Sequence, residues 1–264
     1  LTVTVDLAGV PIDGEWLFGE LQLTADGDTP DAHMPIAAQA AASTLAGAYF
    51  VPSTSPTGTY AITPVQAIEI TDLALDVAGL EPATMFRGTL GEDSTNGDPY
   101  DDLSETYWVT MTVPTDTARL VAEVTVAGPG GGTDFDLFWG AGDMPSAATQ
   151  LGVSASATGF EDLTANNPPA GTYWVLLQNW ASVTEFDNFS LAVAAVPNAD
   201  AGNMEVTGPA MVTAGTEFAL DVTYSGLDTS VDRHYSVVTV GTDAGNPDNL
   251  GVFDLDIGYS PFVG

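Results

Sequence analysis

The sequence predicts an all-β chain built of tandem β-sandwich modules, the first of them incomplete. Three observations predict it. Short segments alternate apolar and polar residues with period two, as half-buried strands do. Turn-forming clusters such as Gly128-Pro-Gly-Gly-Gly132, Asn166-Asn-Pro-Pro169 and Gly245-Asn-Pro-Asp248 separate them at the spacing of sandwich strands. The 28 Gly and 17 Pro in 264 residues leave little room for long helices.

Taken in order, the alternation marks strands at Leu1–Leu7, Trp16–Leu23, Met34–Ala37, Tyr107–Val113, Leu120–Val126, Thr172–Leu177, Phe189–Val193, Phe218–Tyr224 and Tyr235–Val240. The alanine-rich stretch Ala37–Ala48 fits one short helix or a linker, with Pro52, Pro56 and Pro64 following closely. Residues 1–39 thus form a first block, residues 40–64 an Ala/Ser/Thr/Pro connector, residues 65–196 a second block and residues 197–264 a terminal Ig-like sandwich. The first block has three strand signals, against roughly seven strands in a closed sandwich. Half a sandwich leaves apolar faces and edges uncovered, so further strands must come from residues upstream or from another chain.

Charge restricts the partners. Asp and Glu number 36 against 3 Lys and Arg, a formal net charge of −33. The three cations are Arg87, Arg119 and Arg233. Nucleic acid needs basic clusters to neutralise phosphate, and anionic membranes need them equally, so neither is an expected partner. No run of about 20 apolar residues crosses a bilayer, and membrane insertion is not expected. Such acidity suits saline surroundings, where salt screens self-repulsion, or simply keeps an exported protein soluble. With no cysteine there are no disulfides, no thiol catalysis and no thiolate-held zinc. Beginning at Leu1 without a signal peptide, the chain reads as a mature or processed product, extracellular, bacterial, from a marine or saline source.

Catalytic signals are sparse. Only His33 and His234 can shuttle protons, and no Gly-x-Ser-x-Gly elbow surrounds any serine. His33 falls on a strand with a packing role, and no catalytic residue is expected. The sequence names calcium as its one candidate cofactor. Asp98, Asp101 and Asp102 crowd one loop beside Glu92 and Asp93, and Asp134 with Asp136 share one strand face. Solvated acidic loops are the alternative. Among the tryptophans, Trp180 at a strand end is the candidate for an exposed, carbohydrate-stacking ring. Asn188-Phe-Ser190 matches a glycosylation sequon but lies within a strand pattern. For assembly by strand donation the candidates are Leu1, Val3 and Val5 on the receiving strand and Tyr259, Phe262 and Val263 on the donating tail.

A family resemblance sharpens these readings. Gly14-Glu-Trp-Leu-Phe-Gly19, Leu21-Gln-Leu-Thr24 and His33-Met-Pro-Ile-Ala37 resemble the closing half of the fibronectin-III-like domain of secreted bacterial subtilisin-like serine peptidases. Tyr107–Val113, Ala118-Arg-Leu120, Asp134-Phe-Asp-Leu-Phe138 and Pro169-Ala-Gly-Thr-Tyr-Trp-Val175 resemble their pre-peptidase C-terminal domain, over residues 65–196. Asp200-Ala-Gly-Asn203 through Gly251 is similar to a terminal module of long family members. The resemblance implies a non-catalytic accessory region acting as spacer, substrate-holding surface or secretion aid, partnered by an upstream peptidase domain. The family's Asp, His and Ser motifs have no match here. Two other expectations stand beside it: a fragment that self-assembles into an extracellular fibre from copies of itself, and a calcium-dependent adhesive or carbohydrate-binding module.

Overall fold

The structure is a computed structural model that describes residues 2–7, 10, 12, 14–25, 30–128 and 132–258. It is all-β: among the described residues there are seventeen strands and no helix. Residues 2–7 carry no strand, which corrects the reading of Leu1–Leu7. Alternation assigns residues to faces, but it cannot supply the neighbour that a ladder of hydrogen bonds requires. Val3 and Val5 are exposed here, and Leu1 lies outside the described residues. The first paired strands are β1 (Trp16–Leu23) and β2 (Ala32–Gln39), an antiparallel hairpin in register from Trp16↔Gln39 to Leu23↔Ala32. It forms a sheet of two strands alone, with Phe18 81 % exposed and His33 exposed rather than packed.

The supposed connector at 40–64 carries two strands, β3 (Ala48–Pro52) and β4 (Gly58–Val65), and β5 (Ala74–Pro82) follows. Prolines do not prevent this. Pro52 ends β3, and β4 is an edge strand whose ladder skips residues between Val65 and Ile62, so Pro64 sits where no donor is required. Eight strands come next: β6 (Thr84–Leu90), β7 (Tyr107–Val113), β8 (Thr117–Ala127), β9 (Asp134–Ala141), β10 (Gln150–Ser154), β11 (Asp162–Asn166), β12 (Gly171–Ala181) and β13 (Asp187–Pro197). They close their own sandwich from sheets ordered β10-β9-β12-β7 and β11-β8-β13-β6. Leu120, Phe135, Leu137, Leu177 and Leu191 fill its core.

The chain then returns. The strands β14 (Met204–Thr207), β15 (Phe218–Tyr224), β16 (Arg233–Gly241) and β17 (Gly251–Gly258) pair with β3, β4 and β5. The resulting sheets, β14-β15-β4 and β3-β17-β16-β5, enclose Leu80, Leu220, Val238, Phe253 and Leu255. The β6–β13 sandwich is therefore an insertion between β5 and β14 of a host sandwich. The boundaries expected at 64/65 and 196/197 separate strands that belong to one host. Its amino-terminal half has no alternation strong enough to reveal partners some 160 residues downstream, as in Val238↔Val77.

Candidate functional site

The seam between the two sandwiches explains several residue choices. On β13, Leu191 and Val193 enter the insertion's core, whereas Ala192, Ala194 and Val196 face outward onto Tyr235 of the host. Burial on both faces accounts for the continuous apolar run Leu191–Val196, and the alanines let the host approach closely. On β8, Leu120, Ala122 and Val124 point inward, while the alternate residues Arg119, Val121, Glu123 and Thr125 line the seam. On β17 the same alternation buries Phe253, Leu255 and Ile257 and turns Asp254 and Asp256 toward the insertion.

All three arginines of the chain are used here. Arg119 meets Asp254 at 3.1 Å and Asp256 at 2.5 Å, and also donates to Thr164 Oγ1 at 2.8 Å. Arg233 clasps Glu123 with Nε–oxygen distances of 3.0 and 2.9 Å, and Nη2 reaches Oε1 at 2.8 Å. Tyr235 donates its hydroxyl to Glu123 Oε2 at 2.8 Å, and Arg119 lies over the Tyr235 ring at 5.5 Å. Arg233 lies over Phe50 at 4.8 Å. Arg87 pairs with Asp232 at 2.9 Å, whose other oxygen accepts from Thr125 Oγ1. Every one of these ion pairs joins the insertion to the host. Planar guanidinium groups suit such bidentate, stacked positions. Carboxylates still outnumber the cations. Burial pushes Asp256 up to about 6 against the pull of Arg119, and it raises Asp254 as well. Asp162 is raised by burial and by Glu123 and Glu161.

The predicted calcium residues fall into two sets. In the loop before β7 each aspartate already holds donors: Asp98 Oδ1 accepts from Tyr100 N, Asp101 Oδ1 from Thr95 Oγ1, and Asp102 Oδ1 from Ser104 N and Oγ. The serine bonds pull Asp102 below the usual carboxylate range. On β9 the situation differs. Asp134 Oδ1 is buried without a hydrogen-bond partner, and Asp136 is 9 % exposed. Burial, then the charges of Asp134 and Glu161, pushes Asp136 up to about 7. Glu161 itself accepts from Ser154 and Ser156 and was not singled out in the sequence. Among the described residues no group of three or more His, Asp or Glu is placed to hold a metal ion.

Trp180 is the bulged residue of β12, 43 % exposed, beside exposed Val183 and Phe186 of the following turn. Trp139 and Trp174 are core residues. Tyr259, Phe262 and Val263 lie outside the described residues. The sequon residue Asn188 is in β13, paired with Thr89. The seam residues were invisible as a site because their spacing is that of any strand. The one available signal was scarcity, three cations in a chain of net charge −33.

No protein-family model matches this chain. No curated protein matches it either. Among solved structures it is similar to PliG of Aeromonas hydrophila, a periplasmic inhibitor of g-type lysozyme, at 17% identity and a TM-score of 0.28 over 43% of this chain and 86% of that one. It is also similar to the M60 catalytic domain with two CBM51 domains of Clostridium perfringens ZmpB, at 9% identity and a TM-score of 0.23 over 94% of this chain. The chain spans 26% of that structure's length. At these values neither likeness assigns a family or an activity.

Proposed function

We propose that this chain is a non-catalytic accessory region of a secreted subtilisin-like serine peptidase, and that its two sandwiches act as one stiff spacer outside the cell. One observation carries the spacer reading: every arginine of the chain is committed to the seam. Two chain crossings and a set of charge-assisted bonds then hinder the sandwiches from swinging independently. A spacer that keeps a catalytic domain at a fixed distance from its surroundings needs that stiffness. The peptidase assignment comes from the sequence resemblance. An antibody to this chain, applied to secreted protein of the source organism, should recognise a polypeptide much larger than 27.2 kDa that a fluorophosphonate probe labels. Recognition of a 27.2 kDa species alone, unlabelled and in fibres, would replace this reading with self-assembly.

A second reading, calcium held at Asp134 and Asp136, is favoured by the unpaired buried oxygen of Asp134. Calcium also accepts carbonyl and water oxygens, so two carboxylates can suffice as its protein charges. Calcium should then raise the melting temperature beyond sodium chloride of equal ionic strength, and Asp136→Asn should abolish the difference. Equal effects of the two salts would exclude the site.

A further inference from the structure

The insertion is open along one side. Its edge strands there are β7 in one sheet and β6 in the other, and no described strand joins them. β12 pairs one side of β7 from Tyr107 to Val113, and the opposite side has no partner among the described residues. A free edge is a template for another strand, and folded proteins blunt it with charge, proline or a bulge. The other edges follow that rule. β2, β3 and β4 contain proline, β10 is bulged, and β1, β5, β6, β11 and β14 carry charge. β7, Tyr-Trp-Val-Thr-Met-Thr-Val, has none of these devices.

A groove of about 490 Å³ runs beside this edge. Four consecutive residues, Val109 to Thr112, line it. Side chains alternate along a strand, so an unbroken run means that the edge backbone itself borders the groove. Val109 and Met111 point into the sandwich from β7, and Phe86 points in from β6. All three are only half-buried. Glu81 lies at the Pro114 end of the groove, beside Pro197, and is the one charged residue lining it. Among the described residues Glu81 is in no ion pair, and all three arginines are engaged at the seam. A second copy brings the same deficit and a further charge of −33. A cation for Glu81 therefore comes from a different polypeptide.

We propose that the β7 edge and its groove dock an extended segment of another protein, apolar at alternate positions and carrying a lysine or arginine at the end that meets Glu81. The backbone of that segment adds a fifth strand to the sheet β10-β9-β12-β7. Its apolar side chains cover Phe86, Val109 and Met111. Antiparallel pairs are the commoner kind, and β7 runs toward Pro114, so the cation precedes the apolar residues. The volume lies within the roughly 300–1,000 Å³ of ligand pockets. This surface goes beyond the spacer reading and does not rest on it.

The test uses the whole chain and the peptide acetyl-Lys-Val-Thr-Leu-Thr-Val-amide, followed by NMR and hydrogen exchange. At neutral pH in about 0.5 M sodium chloride, a Debye length of roughly 4 Å suppresses diffuse attraction of cations. The amide signals of β7 should shift saturably, and exchange at alternate residues between Val109 and Thr112 should slow. Successive N–H groups of a strand point to opposite edges. Of two peptides, one N-methylated at both threonines and one at the first valine and the leucine, one should therefore bind as before. The other should lose roughly tenfold or more, as two hydrogen bonds are removed. Glu81→Gln should weaken the lysine peptide by about two- to fivefold and leave a norleucine analogue unchanged. No saturable shift, equal loss from both N-methylated peptides, or a Glu81→Gln titration identical to the original would overturn the proposal. Dimerisation that protects β7 without peptide would overturn it in favour of a second copy.

Discussion

Replacing Arg119 by methionine tests the seam most directly. The side chain is 6 % exposed and stands between Asp254 and Asp256, exposed by 10 and 20 %. Methionine removes the cation but leaves both carboxylates in place. Breaking a buried pair in this way costs about 3–5 kcal/mol, because a buried charge is left uncompensated. The partial exposure of Asp256 favours the lower part of that range. The stacking on Tyr235 and the bond to Thr164 add about 0.5–1 kcal/mol each. A net loss of about 4–5 kcal/mol lowers the melting temperature by roughly 8–20 °C in a unit of this size.

The sign of the pH dependence discriminates further. The two aspartates are raised above their ordinary values even beside Arg119, so without it they rise more. An acid with a raised folded-state value loses stability as pH climbs toward that value and regains it as pH falls. The deficit of Arg119→Met, measured by calorimetry, should be largest at pH 8 and shrink by pH 5. The triple replacement Arg119→Met, Asp254→Val, Asp256→Leu should recover most of the loss, since an apolar set of similar volume leaves no charge buried. A deficit under about 1 kcal/mol at pH 8, or one equal at both pH values, would refute this account of the seam.

Three further outcomes are expected. Asp136→Asn should stabilise the metal-free chain at pH 8 by about 2 kcal/mol, half the ceiling set by a carboxyl raised to about 7, and the gain should vanish as pH falls toward 4; a lower melting temperature at pH 8 would contradict the burial argument. Gly140→Ala should destabilise by about 2–3 kcal/mol or more in urea titrations, because a Cβ there meets the Thr149 carbonyl and the fully buried Trp174 ring; full stability would show that β9 can shift away. The melting temperature should rise from low salt to marine salt as repulsion among 36 carboxylates is screened, and a flat profile would remove the saline reading.

Much of the strand content was legible because period-two alternation is local. Phe218–Tyr224 coincides with β15, and Thr172–Leu177 lies inside β12. The errors were non-local. Ala48–Pro52 gains its strand from a parallel partner at Asp254–Gly258, and no property of five residues announces a neighbour two hundred positions away. Residues 2–7 show the converse, good alternation with no strand. The site was less legible for the same reason. Asp98 and Asp102 stood out in sequence only as crowded acids, and what the structure adds is local: one oxygen of each accepts from the backbone of its own turn. Arg119 and Glu123 looked like ordinary strand residues until the host sandwich was placed against them.

The placement of the arginines also governs how this chain meets other proteases. Trypsin cuts after lysine or arginine, and here it has only Arg87, Arg119 and Arg233 to choose from. All three lie within strands, in β6, β8 and β16, and two have their guanidinium groups buried. A protease must bind its substrate as a free extended segment, which no strand held in a sheet can offer until it detaches. Digestion therefore waits on unfolding of the host or the insertion, and its rate reads the population of that open state. A chain that ties all three of its arginines into its own seam is, in the company of trypsin-like enzymes, nearly without a handle.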